Sequence, residues 1–278
     1  MNEFQRVIKY LAMGFAIFLA VVIIGGISTA IFALTGVFKG FTISGDAIDI
    51  NKSFDDVKSI SIDHGIGTLK VKVGESDKVE IIANNVNENY TIDKSFSGNL
   101  TMKSKTRFGF WNWFGSNDYK SDVTVYLPKD FVAEKFEVDA GAGNVNIERL
   151  QTKKLVINGG AGDIKGNNIL AHSVRIDGGV GNIDLEQAEL NDTTIDSGVG
   201  NIDIEGLLLG KTDIDCGVGN VDLKLKGTTD EYNIKVEKGL GNIRINGEKY
   251  SDIRWNNLNA ENSIDIDGGV GDISIDFE

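Results

Sequence analysis

The sequence predicts an all-β protein, a parallel β-solenoid (β-helix) with 19-residue coils, preceded by one N-terminal transmembrane helix. The first observation is a Gly-x-Gly-Asn/Asp signature that recurs at intervals of 19, then 22 and 30 residues, in the 278-residue chain. Its copies begin at Gly141, Gly160, Gly179, Gly198, Gly217, Gly239 and Gly269, and a degenerate copy, GIGT, begins at Gly65. A short fixed period indicates one structural unit that is stacked many times.

The second observation is that apolar and polar residues alternate on both sides of each signature, as in strands with one buried face. In the copy that begins at Gly198, the residues expected inside are Ile195, Val199, Ile202 and Ile204. The residue between the two glycines and the apolar residue three positions later require a turn between them. Gly tolerates the positive φ of a tight corner, and Asn or Asp is the next best residue there. We therefore predict a corner at each signature, with the middle residue pointing into the stack.

Other structures also fit parts of this pattern. Each signature could instead be the turn of a β-hairpin in an antiparallel meander, because Asn beside Gly is a hairpin signal. The near identity of the copies favours stacking in register. The segment GGVGNIDLE resembles the nonapeptide of calcium-binding β-rolls, but Asp184 comes three residues after Gly181 rather than two, and 19 is not a multiple of nine. A phosphate-binding glycine loop is rejected because a strand pattern follows each signature and GxGxxG is absent.

The third observation is an uncharged, apolar stretch over residues 10–38. Its length exceeds what a helix needs to cross a bilayer, and no clear cleavage site follows it, so it predicts a retained transmembrane anchor. Arg6 and Lys9 make residues 1–9 basic, which predicts a cytoplasmic N-terminal tail and an extracytoplasmic C-terminal domain. The predicted location is the cell membrane, as a single-pass integral protein, with residues 39–46 as a short tether.

The rest of the chain divides into a β-rich N-terminal part or cap, residues 47–140, and the repeat solenoid, residues 141–278. An aromatic loop over residues 107–118 interrupts the first part. It supplies the candidate interaction surface Phe108, Phe110, Trp111, Trp113 and Phe114. Exposed aromatic patches mark contacts with protein, lipid or sugar, but the same rings could instead cover the open end of the solenoid. Both interpretations stay open at this point.

The formal net charge of −13 argues against nucleic acid as a partner. Acidic residues recur beside the signatures and are expected to form a ladder: Asp177, Asp196, Asp215, Asp184, Asp203 and Asp222. Such a face keeps a solenoid soluble, and a weaker reading is diffuse binding of divalent cations or a cationic peptide. His64 and His172 are isolated, and the single Cys216 replaces a small residue of neighbouring copies. We therefore predict no catalytic residues, no metal site and no cofactor.

Three segments carry a resemblance to a known family: FDDVKSISIDHGIGTLKVKVG, VTVYLPKDF leading into FEVDAGAGNVNI, and the serial IDGGVGNIDL motif. They resemble the bacterial putative-adhesin domain of unknown function, which includes LiaX-like and YvlB-like envelope proteins. The resemblance covers about residues 44–278 and implies a β-helical surface domain, often tied to cell-envelope stress responses. The expected function is a membrane-anchored, non-enzymatic interaction module with a membrane-protein partner in the envelope. The alternatives are a surface adhesin and, least expected, an enzyme that acts on cell-wall polysaccharide.

Overall fold

The computed structural model describes residues 47–104, 121–258 and 260–278, which form an all-β structure. Apart from one 3-10 turn, Thr229–Glu231, every regular element in these ranges is a strand. The strands are β1 (Ala47–Phe54), β2 (Ser59–Val73), β3 (Val79–Asn87), β4 (Tyr90–Lys94), β5 (Asn99–Ser104), β6 (Ser121–Leu127), β7 (Val132–Ala133), β8 (Lys135–Ile147), β9 (Leu150–Thr152), β10 (Leu155–Ala161), β11 (Ile164–Asn167), β12 (Ile169–Ala171), β13 (Val174–Val180), β14 (Ile183–Val199), β15 (Ile202–Val218), β16 (Val221–Leu225), β17 (Tyr232–Leu240), β18 (Ile243–Ile245), β19 (Glu248–Tyr250), β20 (Ile253–Trp255), β21 (Asn262–Val270) and β22 (Ile273–Phe277).

The repeats stack as parallel coils, which confirms the β-solenoid and excludes the antiparallel meander for them. Each coil has two arms that meet at a Gly-x-Gly corner, and each arm pairs with the same arm of the next coil. A third, shorter arm is formed in the middle coils by β9, β12 and the central parts of β14 and β15. From β2 the stack continues through β8, then β10 and β11, then β13 and the start of β14. The end of β14 and the start of β15 form the next coil, and the end of β15 with β16 forms the one after. Copies 19 residues apart therefore lie directly above one another.

The last two coils are stacked in the reverse of their sequence order. The end of β15 and β16 pair with β21 and β22, so Ile214 lies beside Ile266 and Val221 beside Ile273. β21 and β22 pair on their other side with β17 and β18. The C-terminal coil therefore lies between the coil at Gly217 and the coil at Gly239. β20 and β19 then pair antiparallel with β17 and β18 and cover the outer edge of the stack.

Antiparallel strands also cover the N-terminal end. β5 and β6 form the coil beneath β2 and pair with it in parallel. Beyond that coil, β4 runs antiparallel to β5, and β3 runs antiparallel to β6. β1 then pairs antiparallel with β3 and forms the outermost strand on that side. These strands shield an edge that would otherwise present unpaired backbone groups to another chain.

Columns of Ile, Val and Leu fill the space between the arms, one residue from each coil. The column three residues before the signature is fully buried, and its members are Ile62, Val138, Ile157, Ile176, Ile195, Ile214, Ile266 and Val236. The column four residues after the first Gly is buried as well, and its members are Leu69, Val145, Ile164, Ile183, Ile202, Val221, Ile273 and Ile243. Each coil thus covers the apolar residues of the next, and the inward assignment of these two columns is confirmed.

The predicted fold class is wrong where it adds a transmembrane helix. Within the three described ranges, no helix has both the length and the apolar character that crossing a membrane requires. The physical reason is that backbone groups there are hydrogen-bonded between coils, not within a helix. The segment predicted as the anchor, residues 10–38, lies outside the described residues. The same is true of residues 1–9 and 39–46.

Candidate interaction surface at the solenoid corner

The second glycine of each signature is required by the tight approach of neighbouring coils. Gly181, Gly200 and Gly219 have φ values of 147°, 145° and 153°, which side-chain-bearing residues rarely adopt. A Cβ atom on Gly219 would overlap the carbonyl oxygen of Gly200 in the coil beneath. At the same corner, the Gly200 N–H donates a hydrogen bond of 2.9 Å to the carbonyl oxygen of Val218. Both space and backbone conformation therefore restrict this position to Gly.

The Asn or Asp after the second glycine has a different role from the one predicted. Among the residues described, none of these side chains belongs to a residue with positive φ, because the glycine alone takes that conformation. In every coil but the last, the side-chain oxygen instead accepts a hydrogen bond from the backbone N–H of the equivalent residue in the next coil, at 2.8–3.0 Å. The ladder runs through Asn144, Asp163, Asn182, Asn201, Asn220, Asp272 and Asn242. It satisfies backbone donors that the turn takes out of the sheet pairing.

The residue between the two glycines points outward, and the inward prediction for it is wrong. Val180, Val199, Val270 and Leu240 are 58%, 44%, 47% and 63% exposed. The reason is that the chain bends at the glycines on either side, so this residue lies at the outer apex of the corner. In spatial order the column, called the apolar stripe below, consists of Ile66, Ala142, Ala161, Val180, Val199, Val218, Val270 and Leu240.

Two columns of carboxylates flank the apolar stripe, as the sequence period predicts. The first acidic column contains Asp177, Asp196, Asp215 and Asp267, one per coil. The second acidic column, on the other arm, contains Asp184, Asp203 and Asp222. Between the first column and the stripe, the bare backbone of Gly179 and Gly198 leaves space. A groove of about 400 Å³ runs there along Asp177, Asp196 and Asp215.

Ion pairs neutralise the carboxylates at one end of the first acidic column but not at the other end. Arg175 contacts Asp177 at 2.8 Å and Asp196 at 2.9 Å. Among the described residues, Asp215 and Asp267 have no ion-pair partner. The second acidic column likewise has no ion pair within the part of the chain described. Unbalanced negative charge therefore concentrates around Val218 and its neighbours in the stripe.

Burial and mutual repulsion act on the second acidic column. Desolvation raises the pKa of Asp203 above its usual value, and the carboxylates of Asp222 and Asp184 raise it further. The pKa of Asp222 is also raised, first by desolvation and then by Asp276. Lys224 opposes both shifts. A carboxyl whose pKa is higher in the folded protein than in the unfolded chain stabilises the fold when protonated and loses that contribution as pH rises.

Asp203→Asn should therefore raise stability slightly at pH 7 and leave it unchanged near pH 3, where Asp203 is protonated and close in shape to Asn. We expect a gain below about 1 kcal/mol at pH 7, because solvent screens this largely exposed group. Thermal unfolding of both proteins at the two pH values measures it. A variant that is less stable than the wild type at pH 7 would show that the carboxylate is favourably paired.

The other residues singled out in the sequence have varied positions. Phe108, Phe110, Trp111, Trp113 and Phe114 lie outside the described residues, and so does the rest of the loop over residues 107–118, so their role stays a prediction. Cys216 is buried, and burial raises the pKa of its thiol.

The two histidines differ in exposure, and neither belongs to a candidate metal site in the described ranges. His64 is buried at the corner of the first complete coil, and desolvation lowers its pKa. His172 is exposed. Within the described ranges, no group of three or more His, Cys, Asp or Glu side chains is arranged to hold a metal ion.

Comparison with known proteins matches residues 57–278 to a family model described as Toastrack DUF4097. One similar solved structure is a putative cell adhesion protein from Clostridium sporogenes ATCC 15579, with 17% identity and a TM-score of 0.36 over 84% of this chain and 100% of that chain. Another is a putative adhesin from Bacteroides fragilis NCTC 9343, with 17% identity and a TM-score of 0.45 over 84% and 99%. A third is a putative lipid binding protein from Parabacteroides distasonis ATCC 8503, with 14% identity and a TM-score of 0.43 over 84% and 99%. No curated protein matches the chain.

Proposed function

Because the chain belongs to the Toastrack DUF4097 family, we propose that it is an extracytoplasmic, non-enzymatic interaction module that acts in sensing or regulating stress at the bacterial cell envelope. The observation that carries the proposal is the apolar stripe, a row of apolar side chains along a stack of parallel coils, most of them exposed and Val218 partly so. Exposed contiguous apolar surface is costly to keep in water and marks contact sites. The hydrogen-bonded corners hold its side chains at fixed spacing, so a partner meets a preformed surface.

The adhesin alternative assigns the same stripe to a partner on another cell. The two functions differ in where the partner resides, not in which residues touch it. A surface built from many similar coils suits binding more than catalysis, since it repeats related side chains at the same position of successive coils.

Photo-crosslinking tests this proposal in the native cells with the full chain. A photoreactive amino acid is placed at Val199 in the stripe or, as a control, at Glu189, which is exposed elsewhere on β14. We expect an adduct with a second envelope protein from Val199 and none from Glu189. An adduct that forms only after mixing with other cells would favour the adhesin. The same adducts from both positions, or none from either, would contradict a localised contact surface.

A further inference from the structure

The apolar stripe and its two acidic columns together indicate the chemistry of a partner. We propose that the stripe binds an extended, cationic segment of another protein, with apolar residues against Val and Leu and with Lys or Arg against the carboxylates. This inference rests on the proposed function and specifies which kind of partner the same surface accepts.

The apolar part of the site is its C-terminal half. There the stripe carries five large side chains in consecutive coils, Val180, Val199, Val218, Val270 and Leu240. At about 4.8 Å per coil they extend over roughly 19 Å, the length of about six extended residues. The two coils between Ile66 and Val180 carry only Ala142 and Ala161. The binding surface for apolar side chains is thus concentrated away from the N-terminal end of the stack.

The charged part of the site is centred on the same coils. Asp215 and Asp267 line the stripe on one side, and neither has an ion-pair partner within the described ranges. Asp203 and Asp222 line it on the other side, and nearby Lys224 likewise forms no ion pair there. An extended segment in the polyproline II conformation has three residues per turn, so it can set one apolar side chain on the stripe and direct basic side chains towards the carboxylates on either side.

The groove beside the stripe is wide enough to hold the long side chains of Lys or Arg along its floor. Its floor is glycine backbone, which cannot carry side chains because a Cβ on Gly179 would overlap the Gly160 carbonyl oxygen. Lys and Arg bury their aliphatic stems against such surfaces while their charged ends stay near carboxylates. A second copy of this chain would bring the same acidic columns against the first, and a nucleic acid or an anionic lipid would be repelled as well.

Synthetic peptides test the proposal on the full chain. The probe is a fluorescein-labelled nonapeptide with three Lys-Leu-Lys repeats, called the Lys/Leu peptide, and its binding is followed by fluorescence anisotropy. We expect saturable binding that weakens as NaCl is raised from about 50 to 300 mM. A Lys/Ser peptide of equal charge should bind at least about tenfold more weakly, and a Glu/Leu peptide should not bind. Equal affinity for the Lys/Leu and Lys/Ser peptides would overturn the apolar half of the proposal.

Variants locate the site. Val199→Ser with Val218→Ser, and separately Asp215→Asn with Asp267→Asn, should each weaken Lys/Leu binding about tenfold or more. Glu189→Gln with Glu134→Gln removes two charges at exposed positions far along the chain from the corner glycines and should leave the affinity unchanged. Thermal unfolding confirms that each variant is folded. Unchanged binding by both stripe variants would overturn the proposal.

Two further outcomes separate this inference from the proposed function. A crosslink at Val199 without peptide binding would overturn the cationic partner while the interaction module stands. Peptide binding at the stripe without any crosslink in cells would support this inference and contradict the proposed function. Self-association of the chain in sedimentation, abolished by Val199→Ser with Val218→Ser, would identify a second copy as the occupant and overturn the proposal.

Discussion

Gly219→Ala should destabilise the protein by more than about 3 kcal/mol, because the new Cβ has no space and the backbone conformation is unfavourable. Gly219 has φ of 153° and lies against the carbonyl oxygen of Gly200. The coil on its other side is equally close, since Gly271 lies against the carbonyl oxygen of Gly219. Relief would require separating the coils and breaking the hydrogen bonds between them. Chemical denaturation measures the loss as a shift in the unfolding midpoint.

Gly178→Ala is the matched control for this change. Gly178 precedes its signature at a position where other coils carry Ala140, Ser197 and Cys216, so a Cβ is accepted there. The closest atom to a Cβ on Gly178 would be Cδ1 of Ile183, at 3.0 Å, and that methyl group can move. We expect a change below about 1 kcal/mol. Similar midpoints for the two variants would contradict the close approach of coils at the corner.

Ile195→Asp should be severely destabilising, whereas Val199→Asp should be nearly neutral. The two residues lie four positions apart in the same strand, β14. Ile195 is fully buried and Val199 is 44% exposed. An unpaired carboxylate inside the stack costs several kcal/mol, and one at the outer apex stays in water. The unfolding midpoints of the two variants check this, and equal losses would contradict the outward position of the stripe.

The sequence predicts the arms of the coils but not the orientation of the corner. Alternation with a period of two identifies Ile195 and Ile202 as inward residues, because each belongs to a regular strand. The residue between the glycines belongs to neither arm, so counting alternate positions does not apply to it. Val180 and Ile183 are three residues apart, which indicates a turn, but the spacing alone does not say on which side of the turn Val180 lies.

The order in which the last two coils stack also cannot be inferred from the sequence. All copies carry the same inward pattern, so the columns of Ile and Val are satisfied whichever copy lies next to which. The spacings of 22 and 30 residues look like simple insertions. In the structure the coil at Gly239, which follows the 22-residue spacing, is the last of the stack. It is covered by β19 and β20, and between these two strands the rings of Tyr250 and Trp255 meet edge to face, with centroids 5.4 Å apart. The two covering strands carry no repeat signal, so the sequence pattern does not show which coil ends the stack.

The candidate site was predicted in part. The acidic columns follow directly from the 19-residue period, because like residues of stacked coils become neighbours. The apolar stripe does not follow from the sequence pattern, which places the Val between two glycines in the core. A usable signal was present, because glycine on both sides of one apolar residue indicates a bend in which that residue has no facing arm to pack against. The Asn and Asp ladder was noticed, but its role as hydrogen-bond acceptor requires knowing the distance between coils.

Disulfide trapping tests the account most directly, because both the fold and the proposed surface depend on an exposed stripe in the order Val218, Val270, Leu240. In a Cys216→Ser background, Val218→Cys with Val270→Cys joins adjacent coils about 4.8 Å apart, within the Cα distance of a disulfide. Val218→Cys with Leu240→Cys spans two coils, about 9.6 Å, which is too far. Mild oxidation should cross-link the first pair and not the second. Cross-linking of the second pair alone would contradict it.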